Sequence, residues 1–116
     1  MSDDGQRRWR FYVMDMAQFA EKVLTYTRGL DQAAFVADDL VYDATRRNLE
    51  LIGEAATRTP AEVRDQHDEI PWRMVIALRN RLIHGYLGLD NDTLWSIVQD
   101  DMPKPRQQLH RMLGNS

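Results

Sequence analysis

Over residues 8–28 the apolar positions fall at Trp9, Tyr12 and Val13, Met16, Phe19 and Ala20, Val23 and Leu24, and Tyr26. This 3.6-residue period predicts one long amphipathic helix. Gly29 ends it, and Asp31 caps a short helical piece over 32–37. Asp38 and Asp39 are cap residues for a second long helix over 40–58, with Val41, Ala44, Asn48, Leu51, Ile52 and Ala55 on one face. Thr59-Pro60 stops it, and a short turn reaches His67, expected at the surface. Ile70-Pro71-Trp72 opens a third long helix, with Pro71 at or near its first position and Trp72, Val75, Leu78 or Arg79, and Leu82 on its buried side. After Leu87-Gly88-Leu89, one of Asp90, Asn91 and Asp92 caps a final helix carrying Leu94, Trp95, Val98, Met102, Leu109 and Met112. Pro103 and Pro105 predict a kink or break in it. No stretch alternates with the two-residue period of a strand. The pattern predicts an all-α, up-and-down bundle of four or five helices. Residues 1–116 read as a single domain, with 1–6 a frayed end.

Composition narrows the chemistry. The chain has no cysteine, which excludes a disulfide framework and a thiolate metal site. Its three histidines, at 67, 84 and 110, are too scattered for a histidine metal cluster, so neither a metal nor a cofactor is expected. No apolar run is long enough to cross a bilayer and no signal peptide is visible, so the expected location is the cytoplasm, with no membrane partner. A formal charge of −3 argues against a general nucleic-acid binder, which is normally basic. A local basic site remains open, because Arg73, Arg79, Arg81 and His84 gather on one segment. Asn48 lies on an apolar stripe, so its amide is expected to bond across to another helix. Asp43, Arg47, Glu50 and Glu54 form a charged stripe that is either a solvated, internally paired face or one that orients Arg79 or His84. Trp9, Tyr12 and Met16 belong either to the core or to a subunit contact.

The candidate chemistry is concentrated in Arg79-Asn80-Arg81-Leu82-Ile83-His84-Gly85-Tyr86. Asn80 and His84 are four residues apart and share a helical face, and the two arginines flank Asn80 at about 100° on either side. Gly85 is a natural residue just past a helix end, which places His84 in or beside the last turn. Two guanidiniums, an amide and an imidazole at one helix end suit anion recognition and proton transfer. The string resembles the Arg-x4-His-x-Tyr signature of the HEPN superfamily and, within it, the HepT-like toxin ribonucleases. The flanks Ile70-Pro71-Trp72, Arg47-Asn48-Leu49-Glu50 and Ile52-Gly53-Glu54-Ala55 share the likeness, which covers roughly residues 9–113.

The resemblance implies a homodimer in which two motif helices meet around a shared cleft. It implies a metal-independent endoribonuclease, the toxin of a type VII-like toxin–antitoxin pair, cleaving RNA by attack of a ribose 2′-OH on the neighbouring phosphate. His84 would move the proton, Arg79 would bind the non-bridging oxygens, and Asn80 would position either. Arg81, Arg47, Glu50 and Glu54 are candidates for RNA contact or for orienting these groups. The antitoxin in such pairs is a minimal nucleotidyltransferase that moves AMP from ATP onto the motif tyrosine, which Tyr86 matches. The alternative is a non-catalytic helical dimer that serves as the binding partner of a nucleotidyltransferase.

Overall fold

Four long helices carry the chain, and each forms where the apolar period runs uninterrupted. The structure, a computed structural model, describes residues 3–84 and 90–114, with side chains from residue 8 onward. Helix α1 spans Asp3–Thr27, α3 spans Asp39–Arg58, α5 spans Trp72–Ile83 and α7 spans Pro103–Gly114. Three short helices connect them: α2 (Gln32–Ala37), α4 (Ala61–Gln66) and α6 (Asn91–Ser96). Among the described residues there is no strand. Helix α1 begins at Asp3, upstream of the expected start near Arg8, because a helix already anchored by Trp9 extends cheaply once nucleated.

The caps follow the sequence closely. Gly29 stops α1 in the left-handed region with φ +79°, where a side chain would be strained. The Asp31, Asp38 and Asp90 carboxylates each accept a backbone N–H at the start of the next helix, from Ala34, Val41 and Thr93. Of the three candidates before α6, Asp90 is therefore the cap. The final helix breaks as expected, although its break is a π-helical turn over Ile97–Asp101, after which Pro103 opens α7.

Helices α1 and α3 form the centre, α5 packs on α3 and α7 packs on α1. Val13, Met16 and Val23 of α1, Leu49 of α3, Val75 of α5 and Leu109 of α7 are fully enclosed between them. Phe35 closes one end, its ring 5.3 Å from that of Tyr42 and 5.0 Å from that of Trp95. Trp9 and Met16 are core residues and Tyr12 packs partly against the core, while Phe11, Met14 and Tyr26 are large apolar side chains that α1 leaves exposed.

Two expectations need correction. Asn48 is buried, but its amide donates to the Ala44 carbonyl of its own helix at 2.7 Å instead of reaching across. A side chain this short satisfies its donor one turn back more easily than across a helix interface. His67 is half-buried instead of lying on the surface. Its ring tilts against Trp9 at 6.2 Å, and its carbonyl accepts the Trp72 indole N–H at 3.0 Å.

Candidate functional site

Helix α5 separates packing from chemistry by its own periodicity. Trp72, Val75, Leu78 and Leu82 are buried against the bundle. Pro71 is the residue just before the first turn, and the Trp72 indole bond to His67 fixes where the helix enters. The opposite face presents Arg73, Ile76, Ala77, Asn80 and His84, of which Arg73, Ala77, Asn80 and His84 are exposed. His84 stands at the C-terminal cap, and its backbone N–H donates to the Asn80 carbonyl at 3.1 Å. The sequence-predicted pair is thus joined through the backbone, with the imidazole held at the helix end.

Arg79 sits on the boundary between the two faces. Its stem lies on α3 at Gly53. A Cβ at position 53 would collide with the Arg79 Cβ, come within 2.8 Å of the Val75 carbonyl oxygen and lie 3.2 Å from the Arg79 Cγ. The glycine therefore admits the arginine stem. Further out, the Arg79 Nε is enclosed without a hydrogen-bond partner, while Nη1 donates to the Asn80 side-chain oxygen at 3.1 Å. A buried guanidinium donor left unpaired is costly unless an acceptor arrives. The side chain is consequently oriented before any ligand binds, with Asn80 steering its outer edge.

The remaining candidates lie elsewhere. On α3, Arg47 approaches Glu50 at 3.8 Å and Glu54 pairs with Arg58 at 3.2 Å, so the charged stripe pairs along its own helix. Among the described residues no ion pair joins Glu50 or Glu54 to Arg79, whose stem meets α3 at Gly53. Arg81 is exposed and lies within electrostatic reach of Asp90 at the start of α6. The Asp90 carboxyl is held below its usual range, first by the backbone N–H of Thr93, then by the Thr93 hydroxyl, with Arg81 adding a smaller push. Gly85 and Tyr86 lie outside the described residues. Among the described residues, no group of three or more His, Asp or Glu side chains could hold a metal ion.

Two residues stand beside this helix end that the sequence did not single out for it. One is Gly53, whose signal was a glycine inside an otherwise regular helix, a placement that costs about 1 kcal/mol relative to alanine and so calls for a packing reason. The other is Arg64 of α4. It lines, with Trp72, Arg73, Ile76, Ala77 and Asn80, an open groove of about 1040 Å³ along the outer face of α5. Nothing in the local sequence brings Arg64 to α5; only the tertiary packing does.

The fold and this helix end define an all-α bundle that carries an arginine, an amide and a histidine near the end of one helix. Residues 16–112 match the family described as Ribonuclease HepT-like. A protein of Thermococcus cleftensis named "Probable ribonuclease HepT" is 34% identical over 107 residues, covering 92% of this chain and 97% of the relative. A candidate RNase of Methanocaldococcus jannaschii is 33% identical over 105 residues, covering 90% and 96%. A further candidate RNase, of Caldanaerobacter subterraneus, is 31% identical over 104 residues, covering 90% and 93%. No solved structure matches the chain significantly. The chain belongs to the HepT-like ribonuclease family of the HEPN superfamily.

Proposed function

We propose that this protein is a metal-independent endoribonuclease that acts as the toxin of a type VII-like toxin–antitoxin pair. The observation that carries the reading is Arg79, seated on Gly53, guided by Asn80 and set five residues before the exposed His84. Without a metal, the protein's own groups must move the proton and hold the developing charge. His84 accepts the 2′-OH proton as the oxygen attacks phosphorus. Arg79 holds the non-bridging oxygens as the charge grows. The 5′-oxygen leaves with a proton returned by the protonated His84 imidazole, so the products are a 2′,3′-cyclic phosphate and a 5′-hydroxyl. DNA lacks the attacking 2′-OH, so the chemistry selects RNA.

One copy of each group is a sparse set for phosphoryl transfer, and a two-fold axis doubles it. Ile83, next to His84, is 46% exposed and supplies apolar surface for such a contact. Regulation enters at Tyr86, two residues past His84. A nucleotidyltransferase partner would move AMP from ATP onto its hydroxyl, and the added phosphate would compete for the Arg79 guanidinium. The location that fits this work is the cytoplasm.

The test is incubation of purified protein with total RNA in EDTA. The expected result is cleavage leaving cyclic phosphate ends, and its loss in a folded His84→Ala variant. Unchanged cleavage by that variant removes the site from the reaction.

A further inference from the structure

The groove beside α5 has the character of a binding site that the reaction alone does not call for. One end of it is Asn80, the same amide that steers Arg79. The other end is Arg73, seven residues earlier and so about 10 Å away along the helix on the same face. Between them Ile76 and Ala77 give an apolar floor, beside the edge of Trp72. Across from this helix face stands Arg64 of α4, half-buried, with its Nε enclosed and without a partner. Asp65 and Asp68 also line the groove, yet among the described residues neither forms an ion pair with Arg64 or Arg73. Among those residues both guanidiniums thus stand outside any ion pair, while the two carboxylates share the groove with them. Unpaired arginines over an apolar strip fit a phosphodiester chain with its bases laid on the floor.

We propose that this groove binds single-stranded RNA next to the cleaved bond, with Arg64 and Arg73 holding phosphates and Ile76 and Ala77 supporting a base. The inference rests on the ribonuclease reading, because the groove shares Asn80 with the reacting end. It also explains how an acidic chain engages RNA: the affinity comes from a narrow strip instead of from net charge. The strip then feeds the strand past Asn80 toward Arg79 and His84.

The experiment uses a short fluorescein-labelled single-stranded RNA with every 2′-hydroxyl methylated, so that it binds but cannot be cut. Binding by the parent chain, Arg64→Gln and Arg73→Gln is followed by anisotropy over a salt series, with cleavage of unmodified RNA measured in parallel. Each substitution should weaken binding about tenfold and reduce the salt slope by about one. Cleavage should show a raised KM with kcat little changed. Arg28→Gln, an exposed cation at the far end of α1, should leave both readouts alone. Arg73 is exposed, so its variant is a fair probe even where Arg64→Gln loosens the fold. Binding and salt slope unchanged in both variants overturn the inference, and so does failure of the parent to bind. A change in assembly mass on Arg73→Gln, read by light scattering, also overturns it, since a second copy of the chain would then fill the groove. Cleavage by the parent with unaffected variants leaves the ribonuclease reading standing without the groove. Arginine-dependent binding without cleavage leaves the groove standing without that reading.

Discussion

Arg79 shows why a side chain can matter more for where it is held than for what it is. Its charge would be available from any exposed arginine, but its stem is lodged on α3 and its Nη1 is tied to Asn80. Such preorganisation is what makes a cation effective against a developing charge. Arg79→Ala should therefore lower the cleavage rate on the order of 10²-fold or more. Arg79→Lys should recover little of it, because an ammonium cannot copy the fork that reaches Asn80. A single-turnover assay decides both, and substantial rescue by lysine would mean that only charge matters at this position. The sequence made the shared face of Asn80 and His84 legible through their spacing, since an i, i+4 pair shares a face wherever a helix forms. It did not reveal that Arg79 depends on another helix, because no local pattern encodes a contact between residues 53 and 79. The same limit explains Asn48: its polarity on an apolar stripe was visible, but not its choice of the Ala44 carbonyl over a cross-helix partner.

At the scale of elements, the crossing of α3 and α5 is governed by one missing carbon. Gly53→Ala would gain about 1 kcal/mol of helix propensity. Against that, the new Cβ would meet the Val75 backbone oxygen at 2.8 Å, and overpacking of this kind costs about 1–3 kcal/mol. Backbone does not swing aside as a side-chain tip does, so the clash should win and α5 should shift. The expected result is a modest fall in melting temperature with a large fall in kcat. In an Arg79→Ala background the same change should cost little further activity, because both act through one group. Full additivity in that double-mutant cycle would show that Gly53 acts on something else. A second element-level prediction concerns Asp90. Its lowered carboxyl means that its stabilising effect is present at neutral pH and is lost as pH falls through that lowered value, below the usual carboxylate range. The protection of α6 amides, relative to intrinsic exchange, should fall only in that acid window, and Asp90→Asn should remove that fall. These caps were legible because aspartate before a helix has a local reason to be there. The π-helical turn at Ile97–Asp101 was legible only as a break, since two prolines forecast a disruption without specifying its form.

For the whole molecule, the question is how one acidic chain assembles enough charge at one place. The four long helices and their order were readable from apolar period and from Gly, Pro and Asp punctuation. The division between core and surface on α1 was not, because aromatic and sulfur side chains serve either purpose. Trp9 and Met16 proved to be core, while Phe11, Met14, Tyr26, Leu40 and, beside the site, Ile83 are exposed apolar surface. On the proposed reading the active form is a two-fold dimer with the His84 residues near each other. Ile83→Asp should yield monomers by light scattering and abolish cleavage together with assembly. A dimer that persists in this variant would place the contact elsewhere.

The glycine at the helix crossing also has a genetic consequence. Every missense change in its codon, whatever the base altered, adds a carbon where the fold has no room. In cells that make the proposed toxin without its partner, survivors are selected for silent protein. Their mutations should gather at codon 53 as well as at codons 79 and 84, marking as essential a position that never touches RNA.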